Sequence, residues 1–186
     1  MIGRYCAKQA LSASTHKKDL TDILIENGVF QQPIVYYPTH KNPQVSISHT
    51  DTLGAALAFP EAHPMAIDVE TINTDKDNAI QTQLTNHERR LLSSLSNTMP
   101  PQLLWTVKEA LSKILKCGLM IPFELLEVED IIQQENFCVS HFKNLQQYKA
   151  LSFLLAENVC SLVYPKKTRL NLDILYIQKR VGSFKQ

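Results

Sequence analysis

The sequence predicts an α+β chain, and three observations carry that reading. Around residues 102–116, Leu104, Val107, Leu111, Ile114 and Leu115 recur at helical spacing and make an apolar face. The runs VSISH at 45–49 and IDVE at 67–70 have the two-residue alternation of strands. The last third, at 137–142, 150–156 and 160–164, alternates or runs apolar between polar turns, again as strands do. A chain of 186 residues suits one domain, or two small halves sharing a core.

Hydrophobic residues make up 44% and charged residues 20%, the balance of an ordinary globular protein. The net charge of +1 provides no global field, so neither nucleic acid nor a membrane surface is expected as a partner. Any affinity for a polyanion has to be local. Cys6, Cys117, Cys138 and Cys160 are far apart and form no CxxC pair, which speaks against a zinc site. They read as reduced thiols of a cytoplasmic protein. No apolar run approaches the ~20 residues of a membrane span. The opening residues MIGRY lack the charged-then-apolar order of a secretion signal.

Residues 2–13 predict a helix with Ile2, Tyr5, Cys6, Ala10 and Leu11 as its apolar stripe. Arg4 and Lys8 are four apart, so they either share a ligand or are two solvated charges. Residues 18–27 predict a second helix, with Leu20, Ile23 and Leu24 inward and Gly28 as its stop. Pro33, Pro38 and Pro43 break the chain into extended segments, with a short strand at 34–37. Along 45–49, Ser46 and Ser48 share one face and Val45, Ile47 and His49 the other. Residues 53–59, small and apolar, suit a buried strand, and 65–70 is another. Residues 71–83 are polar and read as a loop. TNHE at 85–88 has the form of a capping box before Leu91, Leu92 and Leu95. Residues 93–101 break the chain, the central helix follows, and Gly118 ends it. The tail from Pro165 is basic and mixed, with an apolar patch at 170–177.

Three carboxylates, a histidine and a lysine fall in a short span of this chain. Asp68 and Glu70 lie two apart on one strand face, where like charges repel unless a cation or solvent separates them. Glu109 and Lys113 are four apart on one helix face. An oxygen-only set of Asp68, Glu70 and Glu109 suits Mg²⁺, which shares its shell with substrate phosphates. Lys113 would reach the same phosphates as a point charge, and His49 could donate to another. Each signal has an ordinary counterpart. The acids can be exposed edge carboxylates, the histidine a structural hydrogen-bonding group, and Glu109–Lys113 a helix ion pair of a few tenths of a kcal/mol.

The blocks SISHT at 46–50, IDVE at 67–70 and WTVKEALSK at 105–113, in that order, resemble the signature of the 4′-phosphopantetheinyl transferases. The resemblance is to the Sfp/EntD-like type, with a shortened N-terminus, and runs from about residue 3 to residue 164. It implies an α+β fold of two similar halves packed about a pseudo-twofold, residues 1–60 and 61–186, with the ligand site at their junction. It implies transfer of the phosphopantetheine arm of coenzyme A to a serine of an apo acyl, peptidyl or aryl carrier protein. The other product is 3′,5′-adenosine bisphosphate. Asp68, Glu70 and Glu109 would hold Mg²⁺, and Glu109 would also serve as general base, directly or through a bound water. Lys113 would bind the pyrophosphate, His49 a nucleotide phosphate, and Ser48 would hold the same loop. Arg4 matches an arginine near the 3′-phosphate. Lys108 would face phosphate or carrier protein, while Trp105 is assigned to packing. With both halves in one chain, a monomer is expected.

Three departures stand out. The chain starts late, Gln32-Pro33 occupies a place where the family often has a basic residue before proline, and Ala66 replaces a glycine before the IDVE block. The first two bear on coenzyme A affinity. The third is harmless in strand geometry, since only a positive φ demands glycine. A degenerate member that binds without turnover is the alternative. A nucleotide hydrolase would need a phosphate-cradling loop, and GxxxxGK[ST] is absent. A purely structural interaction protein would leave the clustered acids unexplained.

Overall fold

A computed structural model describes residues 2–16, 19–36, 42–95 and 99–183. Among them, five α-helices and nine strands, every pairing antiparallel, make an α+β fold. Helix α1 (Ile2–Thr15) covers a hairpin of β3 (Pro43–His49) and β4 (Gly54–Pro60). A smaller hairpin, β1 (Leu24–Asn27) and β2 (Pro33–Tyr36), stands beside β3. Strand β5 (Ala66–Thr71) edges a five-stranded sheet with β6 (Val128–Gln133), β7 (Cys138–Phe142), β8 (Tyr148–Leu155) and β9 (Asn158–Pro165), in the order β5-β9-β8-β7-β6. Helices α2 (Asp77–Thr82), α3 (Asn86–Ser94) and α4 (Gln102–Leu115) lie between β5 and β6, and α5 (Ile174–Gly182) follows β9.

The stripe of α1 is not the expected one. Gly3, Ala7 and Leu11 are buried, whereas Ile2 and Tyr5 are 46% and 61% exposed. The sheet explains the choice. A Cβ on Gly3 would come within 2.7 Å of the Ile47 Cγ2, so only small side chains let the helix approach.

The helix expected at 18–27 is a turn and a strand. The Asp19 carboxylate accepts from the Thr21 amide (2.9 Å) and hydroxyl (2.6 Å), a turn that competes with helix initiation. Ile23 and Ile25 are then buried while Leu24 and Glu26 face out, a period of two. Gly28 opens the hairpin turn rather than ending a helix: its amide donates to the Gln32 carbonyl at 2.7 Å, and Gln31 takes a φ of 62°. The short strand expected at 34–37 is β2; Tyr37 and Pro38 lie outside the described residues.

Strand β4 is half-buried rather than fully buried, because it separates two cores. Ala56 and Ala58 pack with Ala7, Leu11, Ile23, Ile25 and Val45. Leu53, Ala55, Leu57 and Phe59 pack instead with Ile67, Val69, Phe153 and Leu162. Two apolar faces require an unbroken apolar run, which is what the sequence has there.

Residues 71–83 are not a loop. Asn73 accepts from the Asp75 amide and starts a 3₁₀ turn, Thr74–Lys76, that continues into α2. Gln102 secures that turn from α4, its amide donating to the Asn73 carbonyl and the Asp77 carboxylate, both at 2.9 Å. The capping box of α3 forms as expected, Thr85 with Glu88. Helix α4 buries Leu103, Leu104, Val107, Ala110 and Leu111. It ends at Lys116, with φ 55°, and not at Gly118. The apolar patch of the tail belongs in part to α5, capped by Asp173 through the Tyr176 amide.

Helix α4 crosses β5 and β9 over small polar residues. The Thr106 hydroxyl meets that of Ser161 at 2.6 Å, and Ser161 meets Ser152 at 2.7 Å. Asp68 is the cross-strand neighbour of Ser161. The short side chains bring the helix near enough for its own polar residues to reach β5.

Gly3→Ala sets two effects against each other. Alanine gains roughly 0.8–1 kcal/mol in a helix interior, but overpacking costs typically about 1–3 kcal/mol. A net loss of stability is expected in urea unfolding. A gain would mean that Gly3 does not limit the helix–sheet distance.

Candidate active site

Asp68 projects from β5 into the seam between β5, β3 and α4 and is 3% exposed. Its Oδ1 accepts from the Ser48 hydroxyl (2.8 Å) and the Lys113 ammonium (2.7 Å). Its Oδ2 is buried with no hydrogen-bond partner. Strand alternation puts Glu70 on the same face of β5, as expected from the sequence. The Trp105 indole lies close enough to the Glu70 carboxylate to favour its charged form, and packs its ring on Phe123, centroids 5.1 Å apart.

The three carboxylates feel one another. Burial and then the charge of Asp68 raise the Glu70 pKa, partly offset by Lys76, Lys113 and Trp105. Glu109 is raised to about 7, first by burial, then by Asp68 and Glu70, against the opposing pull of Lys113. Among the described residues, no three His, Cys, Asp or Glu side chains are gathered closely enough to hold a metal as they stand. The chemistry of the set nevertheless fits a hard divalent cation: oxygen donors alone, one of them a buried carboxylate oxygen without a partner.

Two cavities flank these residues. One of about 290 Å³ lies between the β1–β2 hairpin, β3 and α4, and is lined by Gln32, Ser46, Glu61, Glu109, Lys113 and Lys116 among others. The other, about 720 Å³, is bordered by Glu70, Lys76, Ile80, Gln102, Trp105, Met120 and Phe123. Glu109 therefore faces one cavity and Glu70 the other.

The remaining candidates are placed less uniformly. His49 ends β3 with an exposed side chain. Arg4 is exposed and donates to the Asn27 side chain at 3.3 Å, and neither residue lines the two cavities. Lys8 is taken up by the Leu20 carbonyl. The ordinary i,i+4 pairing of Glu109 with Lys113 does not form, because the ammonium donates to Asp68 and to two carbonyls. Gln32 turns its amide oxygen onto the Phe30 backbone amide. Ala66 sits in extended β5, so the missing glycine has no conformational consequence.

Lys108 is a correction. It leaves α4 roughly 100° around the axis from Glu109 and is 1% exposed. Its ammonium meets Glu88 at 2.7 Å and the Phe123 carbonyl at 3.1 Å. Glu88 accepts in addition from the Thr85 and Val128 amides, both 2.9 Å. This lysine fastens the strand and turn behind the larger cavity, and it lines neither cavity.

Sequence reasoning missed Ser46 and the polar role of Trp105. A signal existed for both. Ser46 shares its strand face with Ser48, and Trp105 precedes Glu109 and Lys113 at helical spacing.

Residues 64–163 match the sequence profile of the 4′-phosphopantetheinyl transferase superfamily, more than half of the chain. The chain belongs to that superfamily. Among curated proteins no relative matches it. The matched segment contains Asp68, Glu70, Glu109 and Lys113 and stops short of β3 and α1. Family membership implies phosphopantetheine transfer in general, with coenzyme A as substrate, carrier proteins as acceptors and typically a divalent metal.

Two measurements follow from this geometry. An acid whose folded pKa is raised keeps its proton between its ordinary value, 4.5, and about 7, while the unfolded chain has lost it. Folding takes up a proton in that window, so stability falls as pH rises through it. The melting temperature of the ligand-free protein should decline over that range, and Glu109→Gln should flatten the slope. An unaltered slope would place the retained proton elsewhere. Lys108→Met should cost about 3–5 kcal/mol in urea unfolding, because Glu88 would be left buried without its counter-charge. A cost under about 1 kcal/mol, the range of exposed pairs, would show that the pair is not buried in solution.

Proposed function

We propose that this chain is an Sfp/EntD-like 4′-phosphopantetheinyl transferase. It moves the phosphopantetheine arm of coenzyme A to a serine of an apo acyl, peptidyl or aryl carrier protein, with Mg²⁺, and releases 3′,5′-adenosine bisphosphate. The observation that carries this reading is Asp68, a buried carboxylate with an unpartnered oxygen, electrostatically coupled to Glu70 and Glu109 beside a cavity.

Asp68, Glu70 and Glu109 would hold the ion. Mg²⁺ there would neutralise the pyrophosphate and stabilise charge on the leaving phosphate oxygen. The carrier serine oxygen attacks the phosphorus that bears pantetheine. A new P–O bond forms, the bond to the bridging oxygen breaks, and the adenosine bisphosphate departs with that oxygen. The serine proton goes to Glu109, directly or through a bound water. Lys113 lines the smaller cavity and favours an anion there. His49 would donate to a nucleotide phosphate from the end of β3, with Ser48 holding that strand. A 3′-phosphate contact by Arg4 would require exchange of its bond to Asn27.

The proposed halves, 1–60 and 61–186, draw support from packing. One core contains only residues of the first segment, and each segment lays a helix on an antiparallel sheet. A chain that provides both walls of the cavity needs no second copy, so we read a monomer. Among the described residues no helix is long and apolar enough to cross a membrane, and a cytoplasmic site of action fits the acceptors proposed.

Intact-mass spectrometry of an apo carrier protein, incubated with this protein, coenzyme A and Mg²⁺, tests the reading. A mass gain equal to phosphopantetheine is expected, abolished by EDTA. Glu109→Gln and Asp68→Ala should each lower the rate at least about a hundredfold while the variants stay folded. No gain on acyl or peptidyl carriers, with coenzyme A still bound, would replace transfer by binding alone.

A further inference from the structure

Asp68 Oδ2 is buried without a partner, although a serine stands next to it in the sheet. Ser161 on β9 is the cross-strand neighbour of Asp68. Such neighbours share a sheet face with Cβ atoms about 4.5–5.5 Å apart, a separation that a serine and an aspartate can close with a hydrogen bond. The Ser161 proton is committed elsewhere.

Thr106, Ser161 and Ser152 form a chain of hydroxyls under α4, and each is 0% exposed. The Thr106 hydroxyl lies 2.9 Å from the Leu103 carbonyl, which can only accept, so Thr106 donates there. Its 2.6 Å contact with Ser161 then takes the Ser161 proton. The 2.7 Å contact between Ser161 and Ser152 takes, in turn, the Ser152 proton. A hydroxyl has a single proton to give. Every proton of the chain therefore runs toward the Leu103 carbonyl, and none is left for Asp68. Ser48 and Lys113 already hold Oδ1, so Oδ2 is the oxygen a cation would meet without competition.

We propose that Thr106 is a positioning residue for the cation site. By donating to the Leu103 carbonyl it draws the Ser161 proton away and keeps Asp68 Oδ2 clear of protein donors. Thr106 lines neither cavity; it acts through Ser161. The inference rests on the reading of Asp68 as a cation ligand. Valine at 106 would leave the Ser161 proton without its acceptor, and the carboxylate oxygen on the adjacent strand would take it. An oxygen that accepts such a bond offers a cation less charge, or has to give the bond up.

Mn²⁺ binding by the protein without coenzyme A, read from the electron paramagnetic resonance of the free ion, tests the proposal apart from activity. Thr106→Val should bind Mn²⁺ at least about tenfold more weakly than the wild type, the scale of a hydrogen bond to a charged group. Removing the Ser161 hydroxyl as well should reverse the loss, and Thr106→Val with Ser161→Ala is expected within about threefold of the wild type. Thr106→Ser keeps the hydroxyl and should bind as the wild type does. Should Thr106→Val not fold, Thr106→Ala removes the same hydroxyl and carries the same expectation. An unchanged affinity in the single variant overturns the proposal. So does a loss that Ser161→Ala fails to reverse, because that marks damage to packing alone. Asp68→Ala separates the two readings: if it binds Mn²⁺ as well as the wild type, Asp68 is no cation ligand and the proposal falls with that assignment. Absence of transfer to every carrier, with the expected order of Mn²⁺ affinities intact, would sink the transferase reading and leave the role of Thr106.

Discussion

A carboxylate taken out of water costs several kcal/mol unless a counter-charge and hydrogen bonds compensate, and Asp68 is such a group. Its partners come from two places, Ser48 on β3 and Lys113 on α4, so β5 has to lie against both. Much of the local geometry follows from that requirement. Glu109 is one turn before Lys113 and is carried to the same region. Glu70 is two residues beyond Asp68 on the same strand face. The serines and Thr106 under α4 keep the helix near enough for the pairing to form. An apolar residue at 68 could have filled the space at equal or lower cost, since buried ion pairs are rarely a source of stability. Stability alone therefore does not explain the aspartate; on the proposed reading, its unpartnered oxygen serves as a cation ligand.

Helix α4 divides its surface among three tasks. Leu104, Val107 and Leu111 belong to the main core. Trp105, Glu109 and Lys113 face the acidic seam and its cavities. Lys108 turns inward to Glu88 and the Phe123 carbonyl. The Phe123 ring in turn meets both Trp105 and the Lys108 ammonium. A fault in the buried pair would thus reach Glu70 through Phe123 and Trp105, although Lys108 touches neither cavity. Adjacent residues of one motif, Lys108 and Glu109, have unrelated physical roles because a helix turns them roughly 100° apart.

What could be read in the sequence was what short-range periodicity determines. The core face of α4, the capping box at Thr85 and the shared face of Asp68 and Glu70 all come from spacing within one element. The stretch at 18–27 failed because Leu20, Ile23 and Leu24 fit helical spacing, while Ile23 and Ile25 fit strand spacing equally well. Burial under α1 decided between them. Helix α2 failed because Ile80 alone is buried on it, and the Gln102 amide that holds the preceding turn is 25 or more residues away in the chain. Lys108 could not be placed, since its partner Glu88 is 20 residues distant and nothing local reports a buried charge. The motif order indicated the acids and Lys113, yet the engagement of that ammonium by main-chain carbonyls is a property of the assembled sheets only.

The charge balance at the seam limits what can bind there. Three carboxylates repel one another, and Lys113 offsets that repulsion only in part, so burial and the neighbouring acids still push Glu109 upward. A bare phosphate entering the smaller cavity would meet Lys113 and Lys116 but also Glu109 and Glu61. A bare cation would be drawn to the acids and opposed by the same lysines. A cation and a phosphate together satisfy both sets, because each lies between charges that would repel its partner. On the proposed reading the two guests bind with positive coupling, and the nucleotide gains its affinity chiefly when the metal is present. The cooperativity then comes from the spacing of fixed charges on β5 and α4, with no change of fold needed to produce it.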